Sequence, residues 1–149
     1  MMTPPRRLVD SGFLYALFDE SAPQHHSARQ VLDAQQATYF IPEVTLTEAA
    51  YLIRRSGGVD ASLRFLDALI AFPKTFISIL PQDMLRVREI MRSYTSARFD
   101  FVDCCIMALA ERLEINSICT FDRRDFSIFR PIHIDHFDLL PHHPQGQTS

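Results

Sequence analysis

Arg7-Leu8-Val9-Asp10-Ser11-Gly12 is the stretch that decides the fold. Arg7-Leu8-Val9-Asp10 reads as a short buried strand that ends on a carboxylate. Ser11-Gly12 then turns the chain into a short helix expected over Phe13 to Asp19. The pattern returns near the other end, where Ser117-Ile118-Cys119-Thr120-Phe121 reads as a strand and Asp122 follows it. In open α/β sheets, ligands bind outside the carboxyl ends of the strands, so Asp10 and Asp122 both stand where chemistry is expected.

Between these two strands the chain alternates in type. Pro23 opens a helix to about Gln36, and Thr38 to Ile41 forms a second strand. A helix starts at Pro42 with Leu46, Ala49, Ala50 and Ile53 at i, i+3, i+4, i+7 spacing, and Ser56-Gly57-Gly58 stops it near Arg55. Asp60 to Ala71 is a further amphipathic helix, ended by Pro73. Thr75 to Leu80 alternates as a strand, Pro81 opens a helix to about Tyr94, and Phe101 to Glu114 forms the next. Ile132-His133-Ile134 reads as a last strand at a sheet edge, after Pro131. Strands alternating with helices imply a parallel sheet with helices on both faces. Residues 1–140 are expected to form one domain, and Pro141 to Ser149 a polar, disordered tail.

Composition narrows the class. The chain has 149 residues, 47% apolar and 22% charged, which suits one globular domain. No apolar run approaches the ~20 residues of a membrane helix, and Met1 to Arg7 lacks the apolar segment of a signal peptide. Cys104, Cys105 and Cys119 are odd in number and lie in apolar stretches, the pattern of reduced, buried thiols in a cytoplasmic protein. Net charge is −3, from 15 basic and 18 acidic residues, unlike a protein that coats nucleic acid. All the basic residues except Lys74 are arginine, the side chain best shaped for bidentate phosphate contacts.

Four carboxylates carry the chemical reading: Asp10, Glu48, Asp103 and Asp122. Like charges about 4 Å apart repel by roughly 4 kcal/mol per pair at an effective dielectric near 20, so stability alone would not gather them. A divalent hard cation with all-oxygen ligands compensates such a cluster. Each acid has a rival reading. Asp10 could simply cap the following helix, a task Ser11 could also fill. Glu43 and Glu48 diverge by about 140° on one helix and cannot both face one site. Glu43 lies in the first turn, where the helix dipole favours a carboxylate anyway, so Glu48 is the preferred ligand. Asp100-Phe101-Val102-Asp103 resembles a capping box, which leaves Asp100 as cap or outer metal ligand and Asp103 at the site. Asp125 competes with Asp122, but Arg123-Arg124-Asp125 looks like a solvated turn with its own ion pair. The Thr120 hydroxyl can orient a neighbouring carboxylate or an attacking water.

Other chemistries lack support. The histidines, at His25-His26, His133, His136 and His142-His143, do not offer zinc-ligand spacing on rigid elements. No glycine-rich phosphate loop and no Gly-x-Ser-x-Gly elbow occurs. A phospho-acceptor signalling domain would want an acidic pair after the first strand and a lysine after the last, whereas this chain has Asp10-Ser11 and its lysine is Lys74.

Four motifs in order resemble the PIN-domain ribonucleases, and most closely the VapC-type toxins of toxin–antitoxin pairs. They are Leu8-Val9-Asp10-Ser11-Gly12, Leu46-Thr47-Glu48-Ala49-Ala50-Tyr51-Leu52, Asp100-Phe101-Val102-Asp103 with Ala108-Leu109-Ala110-Glu111-Arg112-Leu113, and Thr120-Phe121-Asp122-Arg123-Arg124-Asp125-Phe126. The resemblance implies a three-layer α/β/α sandwich around a parallel sheet of four or five strands. It implies Mg²⁺ or Mn²⁺ held by Asp10, Glu48, Asp103 and Asp122, endonucleolytic cleavage of RNA, a homodimer, and a small antitoxin whose helix packs near the first helices. Arg54, Arg55, Arg123 and Arg124 are candidates for RNA phosphate contacts. Phe13, Leu14, Leu17, Phe18, Tyr51 and Leu52 are expected to leave part of an apolar patch exposed for the antitoxin. Cys104-Cys105 departs from the small or plain apolar residues many relatives carry after this aspartate. The alternative is a PIN domain that is catalytically inert and serves as an interaction module.

Overall fold

The computed structural model describes residues 2–142 and builds the expected alternation around five parallel strands. β1 (Arg6–Val9) leads to α1 (Ser11–Phe18) and α2 (His25–Ala34), then β2 (Thr38–Pro42) leads to α3 (Glu43–Ala71). β3 (Thr75–Ile77), α4 (Pro81–Ser93), a short 3₁₀ turn (Thr95–Ala97) and α5 (Phe101–Leu113) follow. β4 (Ser117–Cys119), α6 (Arg124–Ile128) and β5 (Asp138–Leu140) close the chain. The sheet order is β3-β2-β1-β4-β5, every neighbouring pair parallel.

Period-two alternation sorts the strand residues between two cores. Leu8, Ile118 and Leu139 face α4, α5 and the Phe126–Phe129–Phe137 cluster, whereas Val9, Cys119 and Leu140 face α1, α2 and α3. The result is a three-layer sandwich. Two partly buried ion pairs join α4 to α5, with Arg86 Nε 2.6 Å from Glu111 and Arg112 Nε 2.9 Å from Asp83. The three thiols are free and buried, and burial pushes those of Cys104 and Cys119 up to about 12 and that of Cys105 to about 11. Among the described residues no helix is long and apolar enough to cross a membrane.

The expected stop at Ser56-Gly57-Gly58 is a kink inside α3 rather than a loop. Gly58 takes φ 71° and ψ −161°, a conformation that favours glycine, and a Cβ on Gly57 would lie 2.5 Å from that of Ala61. The helical axis turns there and continues through the predicted second helix to Ala71.

Two expectations are corrected. Ile132-His133-Ile134 is not a strand: the Ile132 N–H donates to Glu111 Oε2 at 2.9 Å, and His133 Nε2 lies 3.0 Å from the Ile115 carbonyl oxygen. Side-chain and loop partners take these polar groups, and the sheet edge passes to Asp138–Leu140, whose register sets Leu139 beside Ile118. The expected apolar patch is also mostly core. Phe13, Leu14 and Leu17 are buried because α3 packs across α1, and Tyr51 alone of the six is clearly exposed, at 63%. Of the segment expected as a tail, Pro141 accepts a hydrogen bond from Arg123 and His142 lies 2.7 Å from Asp138, and residues 143–149 lie outside the described residues.

Candidate active site

The sheet order places a topological switch between β1 and β4, since successive crossovers leave β1 in opposite directions. A crevice at the carboxyl end of such a pair is the preferred ligand site of an open α/β fold. An open cleft of about 620 Å³ lies there, and Asp10, Glu48, Asp103 and Asp122 all line it. Each comes from a different element: the end of β1, the first half of α3, the first turn of α5, and the turn between β4 and α6.

Asp10 is held most tightly. Its Oδ1 accepts the Phe13 N–H at 2.8 Å, so it caps α1, and its Oδ2 accepts the Thr120 hydroxyl. The cap and the site are therefore one residue, and Ser11, offered as an alternative cap, is instead the first residue of α1. Burial, reinforced by the charges of Asp122 and Glu48 and opposed by these two hydrogen bonds, lifts the Asp10 carboxyl to about 7. Thr120 ties the second strand end to the same point: its hydroxyl also lies 2.9 Å from the Asp122 carbonyl oxygen and accepts the Asp122 N–H at 3.0 Å. Phe121 stacks on Phe13 with centroids 5.3 Å apart, which fixes the turn that presents Asp122.

The helical phase argument separates the glutamates. Glu48 faces the cleft, while Glu43 accepts the Ser78 hydroxyl at 2.8 Å on the β3 side. If the RNA cleavage that the resemblance implies holds, Glu48→Gln should lower it by about 100-fold and Glu43→Gln by less than about threefold. Comparable losses in a cleavage assay would contradict the register of α3.

Asp103 is half-buried in the first turn of a helix that is buried from Cys104 to Glu111. Burial first, then a hydrogen bond shared with Asp125, then the charges of Asp10, Asp125 and Asp100 push it well above the usual carboxylate range. Asp100 also lines the cleft and is raised, chiefly by burial and then by Glu48. The capping box is not formed as expected. Asp100 occupies the cap position of α5 without a side-chain cap, and it is Asp125 Oδ2 that accepts the Asp100 N–H, at 3.2 Å.

Asp125 is thus no solvated turn. It is buried, lines the cleft, and carries the foreseen ion pair with Arg124 at 2.6 Å. The apolar pair Phe126 and Phe129, both in the core, was the available signal that this segment is a buried helix start. Of the four candidate arginines only Arg124 lines the cleft. Arg123 donates to the carbonyl oxygens of Pro141 and Leu139, and Arg54 and Arg55 are exposed on α3 outside the cleft lining. Arg98, which sequence reasoning missed, lines the cleft from a left-handed backbone (φ 54°) that nothing in the sequence signals.

The donor set fits a divalent cation. All the acids supply hard oxygen, and the buried Ser11 hydroxyl at the cleft wall has no hydrogen-bond partner among the described residues. No three of the described His, Cys, Asp or Glu side chains converge to ligate one ion on their own. Mg²⁺ does not require that, because it keeps several waters and takes one or two carboxylates together with substrate phosphates.

Comparison with known proteins agrees with this reading of the fold. The family model for the PIN domain matches residues 7–130, and the chain belongs to that family. Ribonuclease VapC26 of Mycobacterium tuberculosis is 28% identical over 134 residues, 90% of this chain and 99% of that protein. In the solved structures, the sarcin-ricin loop cleaving toxin VapC20 of Mycobacterium tuberculosis superposes with a TM-score of 0.73 at 16% identity, covering 86% of this chain and 98% of that one. A toxin–antitoxin complex from Klebsiella pneumoniae aligns with a TM-score of 0.64 at 21% identity, over 83% of this chain and 92% of that one. VapBC2 of Rickettsia felis, bound to a promoter DNA fragment, gives 0.66 at 13% identity, over 90% and 96%.

Proposed function

We propose that this chain is a divalent-metal-dependent endoribonuclease of the VapC type, the toxin of a toxin–antitoxin pair. The observation that carries the reading is the delivery of Asp10, Glu48, Asp103 and Asp122 by four separate elements to one cleft at the β1/β4 switch point. The relatives support it: one is named a ribonuclease, another a loop-cleaving toxin, and a third a toxin–antitoxin complex.

Asp10, Glu48, Asp103 and Asp122, with Asp100 as an outer partner, would hold Mg²⁺ or Mn²⁺. When bound, such an ion supplies Lewis-acid activation of water and neutralises charge on a phosphodiester. The chain itself does the rest. Thr120 and the Phe13 N–H hold Asp10 in one orientation, and Ser11 offers a free hydroxyl beside it. Arg124, anchored on Asp125 and on the Ala97 carbonyl oxygen at 2.6 Å, offers a fixed cation to a backbone phosphate, and Arg98 a second. Asp103 lines the same cleft, its carboxyl raised well above the usual range chiefly by burial.

An antitoxin helix would find its apolar face on Val59, Leu63, Leu66 and Ile70, exposed at helical spacing along α3 beyond the Gly58 kink, with Tyr51 exposed before it, rather than on α1. Self-association would use the hollow of about 400 Å³ lined by Met84, Met91 and Phe101. The buried thiols suit a cytoplasmic setting. Purified protein should cleave RNA with Mg²⁺ or Mn²⁺ and lose that activity in EDTA. Induced expression should arrest growth, relieved by a co-expressed small protein that co-purifies. Metal-dependent cleavage without arrest or co-purification would leave a stand-alone ribonuclease and sink the toxin reading.

A further inference from the structure

Arg7 sits on β1, the central strand, with its side chain on the face covered by α1, α2 and α3, and only 5% of it is exposed. A buried guanidinium is costly unless a negative partner offsets it. Among the described residues no carboxylate lies within ion-pair distance of it. Its partners are neutral: Nη2 donates to Gln35 Oε1 at 2.8 Å, and Nη1 donates to the hydroxyl of Tyr39 at 3.2 Å. Nε has no acceptor. The group carries five N–H donors, and two are used. Asp138, on β5 and separated from β1 by β4, is occupied by His142 and Ser117.

This cation borders a cavity of about 700 Å³ between α2 and the end of β5, apart from the acidic cleft and sharing no residue with it. Ser27, Gln30 and Val31 line one wall from α2, and Leu140 and His142 the other. The volume is that of a small-molecule site, and the lining has the usual form, apolar walls with a few polar groups around one charge.

From the unpaired buried Arg7 in this cavity, we infer a binding site for a small oxyanion-bearing molecule, a phosphate or carboxylate whose oxygens complete the arginine's hydrogen bonds. The guanidinium fork matches either group, and the Gln30 amide and the Ser27 hydroxyl line the same cavity for the rest of the ligand. The inference does not depend on the nuclease reading.

Thermal denaturation of the full chain tests it, with inorganic phosphate, adenosine monophosphate or citrate at millimolar concentration against sodium chloride of equal ionic strength. At least one probe should raise Tm by about 3 °C or more. A response to phosphate or the nucleotide identifies a phosphate ligand, and a response to citrate alone a carboxylate. Gln35→Glu places a carboxylate on Arg7 in the ligand's stead, so it should raise the baseline Tm and abolish the response. Arg7→Met removes the charge and should abolish the response too. No shift with any probe, or an undiminished shift in Gln35→Glu, would overturn the site and exclude Arg7 as its anchor.

Discussion

Asp10→Asn is expected to reduce RNA cleavage by roughly 10³-fold or more while leaving the metal-free protein at least as stable as the wild type. The two effects have one cause. Burial first, and after it repulsion from the charges of Asp122 and Glu48, lifts the Asp10 carboxyl to about 7. A neutral amide of the same shape removes that repulsion. Its Oδ1 still accepts the Phe13 N–H at 2.8 Å, so the α1 cap is kept, and its amide can donate to the Thr120 oxygen. What the amide cannot supply is the anionic oxygen that a divalent cation requires. A cleavage assay with Mn²⁺ and thermal unfolding in EDTA read the two effects separately. Wild-type cleavage would remove Asp10 from the site, and a fall in Tm would show that its charge stabilises the fold.

The stability of the protein in EDTA should fall as pH rises from about 4 to about 7. Burial, ahead of the neighbouring charges, raises the Asp10 carboxyl from 3.8 to about 7, so the folded chain keeps a proton that the unfolded chain has released. The stabilising contribution is fully present below about 4 and is lost as pH passes through about 7, at most about 4 kcal/mol in all. Asp103, raised chiefly by burial and then by its hydrogen bond with Asp125, acts with the same sign from the same starting pH upward. Cation binding needs the deprotonated carboxylates, so stabilisation by Mg²⁺ or Mn²⁺ should grow over the same interval. Melting temperatures at about pH 5 and about pH 7.5, with EDTA and with Mn²⁺, give the comparison. A Tm in EDTA that rises across this window would contradict the buried, crowded state of Asp10.

Much of the fold was legible because its signals are local. Leu8-Val9 and Ile118-Cys119 are short apolar runs that a parallel sheet buries on both faces, and the helices of α3 carry apolar residues at period 3.6. The register of α3 separates Glu48 from Glu43 by angle alone. The last strand was misplaced because three residues, Asp138–Leu140, carry too little pattern to compete with the β-branched Ile132 and Ile134. Glu111, a residue far away in sequence, captures the Ile132 amide and decides the matter. Asp125 is misjudged for a similar reason: beside two arginines it looks solvated, and the apolar Phe126 and Phe129 and the long-range bond to the Asp100 N–H give its place. The apolar patch failed on packing. Phe13, Leu14 and Leu17 read as an exposed face only if α1 meets the sheet alone, and the kink at Gly58 lets α3 fold over it.

The central proposal is that the cleft lined by Asp10, Glu48, Asp103 and Asp122 takes a divalent cation, with water and substrate oxygens completing its ligands, and serves RNA cleavage. Calorimetric titration of Mn²⁺ into the purified chain, and into Asp10→Asn, tests it most directly. The account predicts saturable binding by the wild type that is lost in the variant. Equal binding by both proteins, or none by the wild type, would contradict it.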